Sequence, residues 1–337
     1  MAVEIPPQVV LHQMMNGYRV TQMLYVVAKL GIADHLEHGP RTVDELAAAS
    51  GAHADALYRV LRTLASLGVF EEIAPHRFAL TPLAEPLRTS HPHSVWALTT
   101  FQGEDPYRAW ADLLHTVKTG VAAFEHVFGA SHFDYLAQHP EASAVFNSTM
   151  SENSRRVASA VVAAYDFGGA GGTVVDVGGG HGKLLSTVLQ AQPALHGTLF
   201  DLPHVVADAR PELEAAGVAN RCDIVGGDFF AGVPEGGTCY TLRHILHDWD
   251  DERSVAILRN CARTLPPQGK ALVIEAIVAS GNEGPQTKFL DLQMMVMNGG
   301  RERTAEEFEA LFNAAGLRLT RIIPTTTDAN IIEGERA

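Results

Sequence analysis

Cysteine is scarce in this 337-residue chain. Cys222, Cys239 and Cys261 are scattered, with none of the close pairs that a metal knuckle or redox motif requires. That excludes a disulfide framework and leaves three packed, reduced thiols, as expected of a cytoplasmic protein. Positive charge is short as well. Against 39 acidic residues stand 25 lysines and arginines, a formal net charge of -14. A chain so acidic repels phosphate backbones and anionic lipid, so neither nucleic acid nor membrane is an expected partner. Long apolar runs are missing too: residues 20–32 are interrupted by Gln22, Lys29 and Gly31 and are too few to span a bilayer. The start, MAVEIPPQVV, has no basic patch ahead of an apolar core, so no secretory signal is read there.

What is present is ordinary core-forming material, 46% hydrophobic with 19% charged, in a chain long enough for two domains. Its first half has helical texture. Residues 9–36 carry apolar positions at helical spacing, broken at Gly31. Thr42 with Glu45 three residues on is a capping-box pattern, and Gly51 ends that helix. The next helix places Leu57, Val60, Leu61, Leu64 and Leu67 on one face. GVFEEIAPHRFALT then predicts two strands around a turn at Pro75. Helix, turn, helix, hairpin is a winged-helix pattern, which raises the possibility of a DNA-binding regulator. Only Arg59 and Arg62 offer positive charge on the second helix, so the reading surface is missing and a dimerisation or lid module fits better.

Residues 104–165 predict a mainly helical connector, and the texture changes after Gly168. TVVDVGGG, HGTLFDLP, CDIVGGDFF, TCYTLRHIL, KALVIEAIV and RLTRIIPT recur with helical stretches between them, which implies a parallel sheet covered on both faces. The expected organisation is a winged-helix-like domain over 1–103, a connector over 104–165, and a doubly wound, mainly parallel α/β domain over 166–337.

The run 176–182, D-x-G-x-G-x-G, ends a buried strand just before a helix. Glycines there let the backbone approach a ligand and reach φ values closed to other residues. A dinucleotide fingerprint would need glycine at 183, where Lys183 stands, so a nicotinamide dehydrogenase is a poor fit. The observed spacing is the one associated with S-adenosylmethionine. Asp201 ends the next strand, where a carboxylate can accept from both ribose hydroxyls. Asp228 and Phe229 end the third, placing a carboxylate and a ring where adenine would lie.

VVDVGGGHG, FDLPHVV, GGDFF and LRHILHDWDDE, in this order, resemble the plant caffeic-acid-type O-methyltransferase family and its bacterial natural-product relatives, and the likeness covers nearly the whole chain. The resemblance implies a Rossmann-like class I methyltransferase domain behind a winged-helix dimerisation domain. It implies methyl transfer to a hydroxyl of a small aromatic or polyketide-type acceptor, with S-adenosylhomocysteine as product. A homodimer through the amino-terminal domain is expected, since an apolar bundle there cannot hide all its surface on one chain. Two other readings keep the fold or the module: a relative that binds the cofactor but hydroxylates, decarboxylates or cyclises, and a ligand-sensing winged-helix regulator.

A phenol is mostly protonated at neutral pH, so a base helps most if its own pKa lies near working pH, as that of histidine does. His247 follows the fourth strand, and the resemblance makes it the catalytic base. His244 is the rival, and an H-x-x-H metal reading finds no third ligand, so no metal is expected. By the same resemblance Glu275 and Glu302 bracket the histidine. Gly178, Gly180, Asp201, Leu202, Asp228, Phe229, Arg243 and Ser154 hold the cofactor, the last two at its amino-acid end. Met150, Met294 and Asn298 contact the acceptor, in segments that also carry Met295 and Met297. Phe101, Trp110 and Phe124 are expected to close the pocket from the connector. Asp250 is expected to cap the helix that begins at Asp251, and Trp249 to act as an anchor.

Overall fold

The computed structural model describes residues 5–168 and 172–337. Residues 1–4, part of the segment screened for a signal, and 169–171, just inside the 166–337 domain, lie outside the described residues. The chain divides into two compact units, Met1–Ala111 with Phe133–Glu152, and Asp112–His132 with Asn153–Ala337. Residues of the 104–165 stretch fall in both.

In the first unit, helices over Pro7–Met15, Gly17–Lys29, Ile32–His35, Val43–Ser50 and Ala54–Ser66 precede a hairpin of β2 (Phe70–Ala74) and β3 (Arg77–Leu80). The Thr42 hydroxyl accepts from the Glu45 amide, and the Glu45 carboxylate accepts from the Thr42 amide, a complete capping box. Gly51 closes that helix at φ +72°, a conformation that glycine adopts without steric cost. Leu57, Leu61 and Leu64 are buried and Val60 half-buried, whereas Leu67 is exposed, because it stands one residue beyond the last turn of its helix. Residues 75–76 make the hairpin turn, with His76 at φ +61°. A two-residue strand, β1 (Arg41–Thr42), pairs with β3 and completes a three-stranded wing that periodicity did not reveal.

The second unit is built on seven strands: β4 (Gly172–Val177), β5 (Leu195–Asp201), β6 (Cys222–Gly226), β7 (Cys239–Arg243), β8 (Lys270–Ala276), β9 (Leu317–Pro324) and β10 (Ala329–Arg336). Their order is β6-β5-β4-β7-β8-β10-β9. The first five are mutually parallel, and β10 is antiparallel to both neighbours. Strand β10 is absent from the sequence reading because Glu333, Glu335 and Arg336 mask it. Glu333 is buried there by bonds from Tyr165, Thr320 and Arg321. Val174, Leu272 and Ile274 pack into one core layer, while Val175, Val177, Ala271 and Val273 pack into the layer on the opposite face. That alternation puts apolar side chains on both faces of the sheet and accounts for the unbroken hydrophobic strands.

The three cysteines are free and buried. Among the described residues, no helix is long and apolar enough to cross a membrane.

Candidate active site

From β4 the chain runs outward to β5 and β6, then crosses back to β7 on the other side, so the strand order reverses between β4 and β7. Open α/β sheets bind ligands at such a reversal, beyond the carboxyl ends of the strands. The glycine run lies there. Gly178, Gly180 and Gly182 have φ of +68°, +59° and +83°. A methyl group on Gly180 would meet open space, whereas one on Gly178 would strike Ile245. The Asp201 carboxylate accepts the Gly180 amide at 2.8 Å and the Leu202 amide at 2.7 Å, tying the ends of β4 and β5 together. Each oxygen keeps a further lone pair for a ligand hydroxyl. Asp228 accepts from the Phe230 amide; Leu202 is exposed and Phe229 half-buried. Below the loop, Asp176 is buried; Thr241 donates to one of its oxygens, and the other has no hydrogen-bond partner among the described residues. Burial pushes that carboxyl up to about 6.

At the end of β7, Arg243 donates to the Ser154 hydroxyl at 2.7 Å. His244 follows in a left-handed conformation, φ +54°, strained for a residue with a side chain. Its ring stacks on that of His247, 5.1 Å between centroids, and Nδ1 receives a bond from Arg243. His247 sits in a short turn, Leu246–Asp248, and is buried. Two glutamates serve it differently. Glu302 bonds Nδ1 of the ring at 2.8 Å. Glu275 does not reach the ring; its Oε1 accepts the backbone amides of Ile245, Leu246 and His247 at 3.0, 2.6 and 3.2 Å. With Nδ1 donating to Glu302, Nε2 is the nitrogen left to accept a proton. Asp248 stands 3.8 Å from Nε2, and the Asn298 amide donates to it at 2.6 Å.

Burial disfavours a charged ring at His247, but Asp248, Glu302 and Glu275 outweigh it and push the imidazole up to about 9. That departs from the near-neutral value expected of the sequence, because three carboxylates converge where one was needed to fix the tautomer. Burial raises the Glu275 carboxyl to about 7, opposed by His247 and Arg303. His244 moves the other way, held well below the ordinary imidazole value by burial, His247 and Arg243.

An O-methyltransferase domain model matches residues 110–318, and an O-methyltransferase dimerisation domain model matches residues 12–90. The chain belongs to the O-methyltransferase family. This O-methyltransferase is 51% identical to a phenazine O-methyltransferase from Lysobacter antibioticus, over 98% of its own length and 96% of that protein's. Its fold is similar to the mitomycin 7-O-methyltransferase MmcR, with a TM-score of 0.92, 39% identity and 98% of each chain covered. It is also similar to CalO1, a methyltransferase of calicheamicin biosynthesis solved with S-adenosylhomocysteine. There the TM-score is 0.88 and the identity 40%, over 99% of this chain and 100% of that one.

The residues expected on the acceptor side belong to both compact units. Met294 is half-buried on the helix Pro285–Met297, which Asn298 ends. Met295 lines a cavity of about 340 Å³ together with Asp291, Glu302 and Glu307. Met297 is buried among the apolar core residues. Phe124 is likewise buried, against Phe128 and His132. Met150, Phe101 and Trp110 belong to the first unit, where Phe101 packs on Phe146. Asp250 accepts the Arg253 amide as the helix cap, and Trp249 anchors against Phe229 and Phe230.

Three residues escaped the sequence reading, Asp248 beside Nε2 among them. Asp291 accepts the Glu302 amide at 2.9 Å, and Arg303 is fully buried behind the His247 turn. A charged residue next to an expected catalytic glutamate was the available signal for Arg303. Among the described residues, Asp112, His115 and His126 come close enough to share a cation. Yet the two imidazoles stack in parallel, 3.7 Å apart, so their lone pairs do not converge; a hydrogen bond between His126 Nδ1 and Asp112 at 2.6 Å accounts for the contact.

Proposed function

We propose that this enzyme transfers a methyl group from S-adenosylmethionine to a hydroxyl of a small aromatic or polyketide-type acceptor, with His247 as general base. The observation that carries the reading is the Nδ1 contact with Glu302, which fixes one tautomer and leaves Nε2 as acceptor. The residues at the reversal fit the cofactor. Glycine conformations open the loop at Gly178 and Gly180, Asp201 keeps lone pairs for hydroxyls, and Leu202 with Phe229 offers apolar surface to a flat base. Asp228 would take an amino group, and Arg243 with Ser154 would hold a carboxylate. Bound there, S-adenosylmethionine would supply an electrophilic methyl group.

The protein's own part is proton management. The acceptor hydroxyl gives its proton to Nε2 of His247, and the resulting imidazolium is stabilised at Nδ1 by Glu302 and across the turn by Asp248. Asn298, bonded to Asp248 through its amide nitrogen, keeps a buried carbonyl oxygen with no partner among the described residues, a contact for an acceptor hydroxyl. Met294 supplies polarizable surface for a ring. The phenazine, mitomycin and calicheamicin relatives support an acceptor from natural-product chemistry, and they leave the non-methylating and regulatory readings without support. A homodimer is supported by the dimerisation-domain match and by the helix Pro7–Met15, which buries nothing and exposes Val9, Leu11, Met14 and Met15.

The test is methyl transfer from labelled S-adenosylmethionine over a panel of phenols and catechols, wild type against His247→Ala. Turnover in the variant is expected to fall by about 10²–10⁴-fold with cofactor affinity unchanged. A variant that turns over as the wild type does would overturn the assignment of the base.

A further inference from the structure

Residues 300–303 lie along the His247 turn and pair with the chain beyond β8, through a bridge from Arg303 to Ile277 and a bond from the Val278 amide to the Arg303 carbonyl. In an extended segment successive side chains point to opposite sides. Glu302 accordingly reaches the imidazole, while Arg303 turns to the back of the loop that carries it. The Arg303 guanidinium is completely buried. It donates to the Leu246 carbonyl at 2.9 Å and the Trp249 carbonyl at 2.8 Å, and it also reaches the Ser254 hydroxyl and Asp251. Leu246 and Trp249 flank His247 and Asp248. The same turn has its amides gathered by Glu275, and the His247 carbonyl accepts the Arg301 amide.

We infer that Arg303 is a positioning residue for methyl transfer, gripping the two carbonyls that bracket the turn and so setting where Nε2 of His247 points. The inference rests on the reading of His247 as base. Glu275 holds the donors of the turn and Arg303 holds its acceptors, so the pair fixes the turn from both polarities. A planar guanidinium with five N–H groups in a rigid fork can serve two carbonyls, a hydroxyl and a carboxylate together; an ammonium cannot match those directions. Arg303 also supplies positive charge in a crowded acidic site. The groups that face His247 are Glu302 from the 300–303 segment, Glu275 from β8, and Asp248 and His244 from its own loop. Arg303 offsets the carboxylates among them.

Arg303→Lys and Arg303→Gln, with His247→Ala alongside, are compared on the full chain loaded with S-adenosylmethionine, using a catechol probe. Arg303→Lys keeps the charge and loses the fork. It is expected to bind the cofactor as wild type does, with kcat reduced about 10–100-fold, KM nearly unchanged and the acid limb of the rate profile in place. Arg303→Gln loses both, so the acid limb should also move up by about half to one pH unit as a cation near the imidazolium disappears. Side-chain NMR of labelled histidines, with His247→Ala identifying the signal, reads the same shift without any acceptor. Wild-type kcat in Arg303→Lys, or an unmoved His247 titration in Arg303→Gln, would overturn the inference. If His247→Ala turns over normally, the base assignment fails first and takes the positioning role with it.

Discussion

At the ends of β4, β5 and β6 the chain presents backbone; at the end of β7 it presents charge. The glycine loop depends on three left-handed glycines and a carboxylate, Asp201, that bonds amides rather than cations. The His247 turn depends on Glu275, Glu302 and Arg303, all buried and drawn from segments 28 to 56 residues along the chain. The first arrangement suits a ligand that must be approached closely by main chain and recognised by its hydroxyls. The second suits proton transfer, where a ring must keep one tautomer and one direction. Two adjacent stretches of one sheet edge thus divide the work, with binding carried by conformation and chemistry by buried electrostatics.

The sharpest way to break this division is Glu302→Gln. The amide keeps the shape of the side chain but removes the charge opposite Nδ1. We expect kcat to fall about 10²-fold or more, with the cofactor dissociation constant unchanged. The acid limb should move down as well. Burial lowers the His247 pKa, but Asp248, Glu302 and Glu275 raise it to about 9, so wild-type activity should climb with pH toward that value. Without Glu302 the limb should fall toward the ordinary imidazole range. Stability carries the same sign. A raised folded-state pKa means that the ion pair's contribution is complete below about pH 6.5 and lost as pH rises through about 9. Thermal melts at pH 6.5 and pH 9.5 would show the wild type losing more than the variant. Equal losses would remove the charge from the mechanism.

The same division governs what could be read from the sequence. The glycine loop, Asp201 and Asp228 were legible because a parallel sheet delivers consecutive strand ends to one edge in chain order, so local motifs sufficed. The capping box at Thr42 was legible because both of its partners lie three residues apart in the chain. His247 and its two glutamates came from a family likeness, and their separate duties could not be read at all. Glu275 looked like a second partner for the ring, yet it binds three amides, which depends on a turn geometry that no periodicity encodes. Arg303 had only its place beside Glu302 to mark it, because a buried arginine is intelligible only once Leu246 and Trp249 are folded around it. Strand β10 was hidden by charges whose partners lie on other elements.

Asp201→Asn addresses the binding side with a smaller effect. Asparagine keeps one acceptor oxygen but replaces the other by a donor, which opposes either the Gly180 or the Leu202 amide. Loss of one such bond together with one ligand contact predicts affinity for S-adenosylmethionine about 10–100-fold weaker, read by calorimetry. The kcat at saturating cofactor should stay within about threefold of wild type. A large drop in kcat with intact affinity would mean that the two stretches do not divide binding from chemistry.

Gly180→Ala is the mildest test and the most specific for backbone. The added methyl meets nothing within 4 Å, so sterics within the fold cannot account for any change. What remains is the left-handed φ of +59°, which costs an alanine about 1–2 kcal/mol relative to glycine. Part of that cost should be relieved by relaxing the loop, and relaxation withdraws the amide from Asp201. Cofactor affinity should therefore weaken several-fold while the melting temperature drops by a few degrees. The pH profile of the saturated enzyme should not move, because no charge near His247 has changed. An altered profile would mean that the glycine loop and the His247 turn share a coupling that the buried electrostatics alone do not explain.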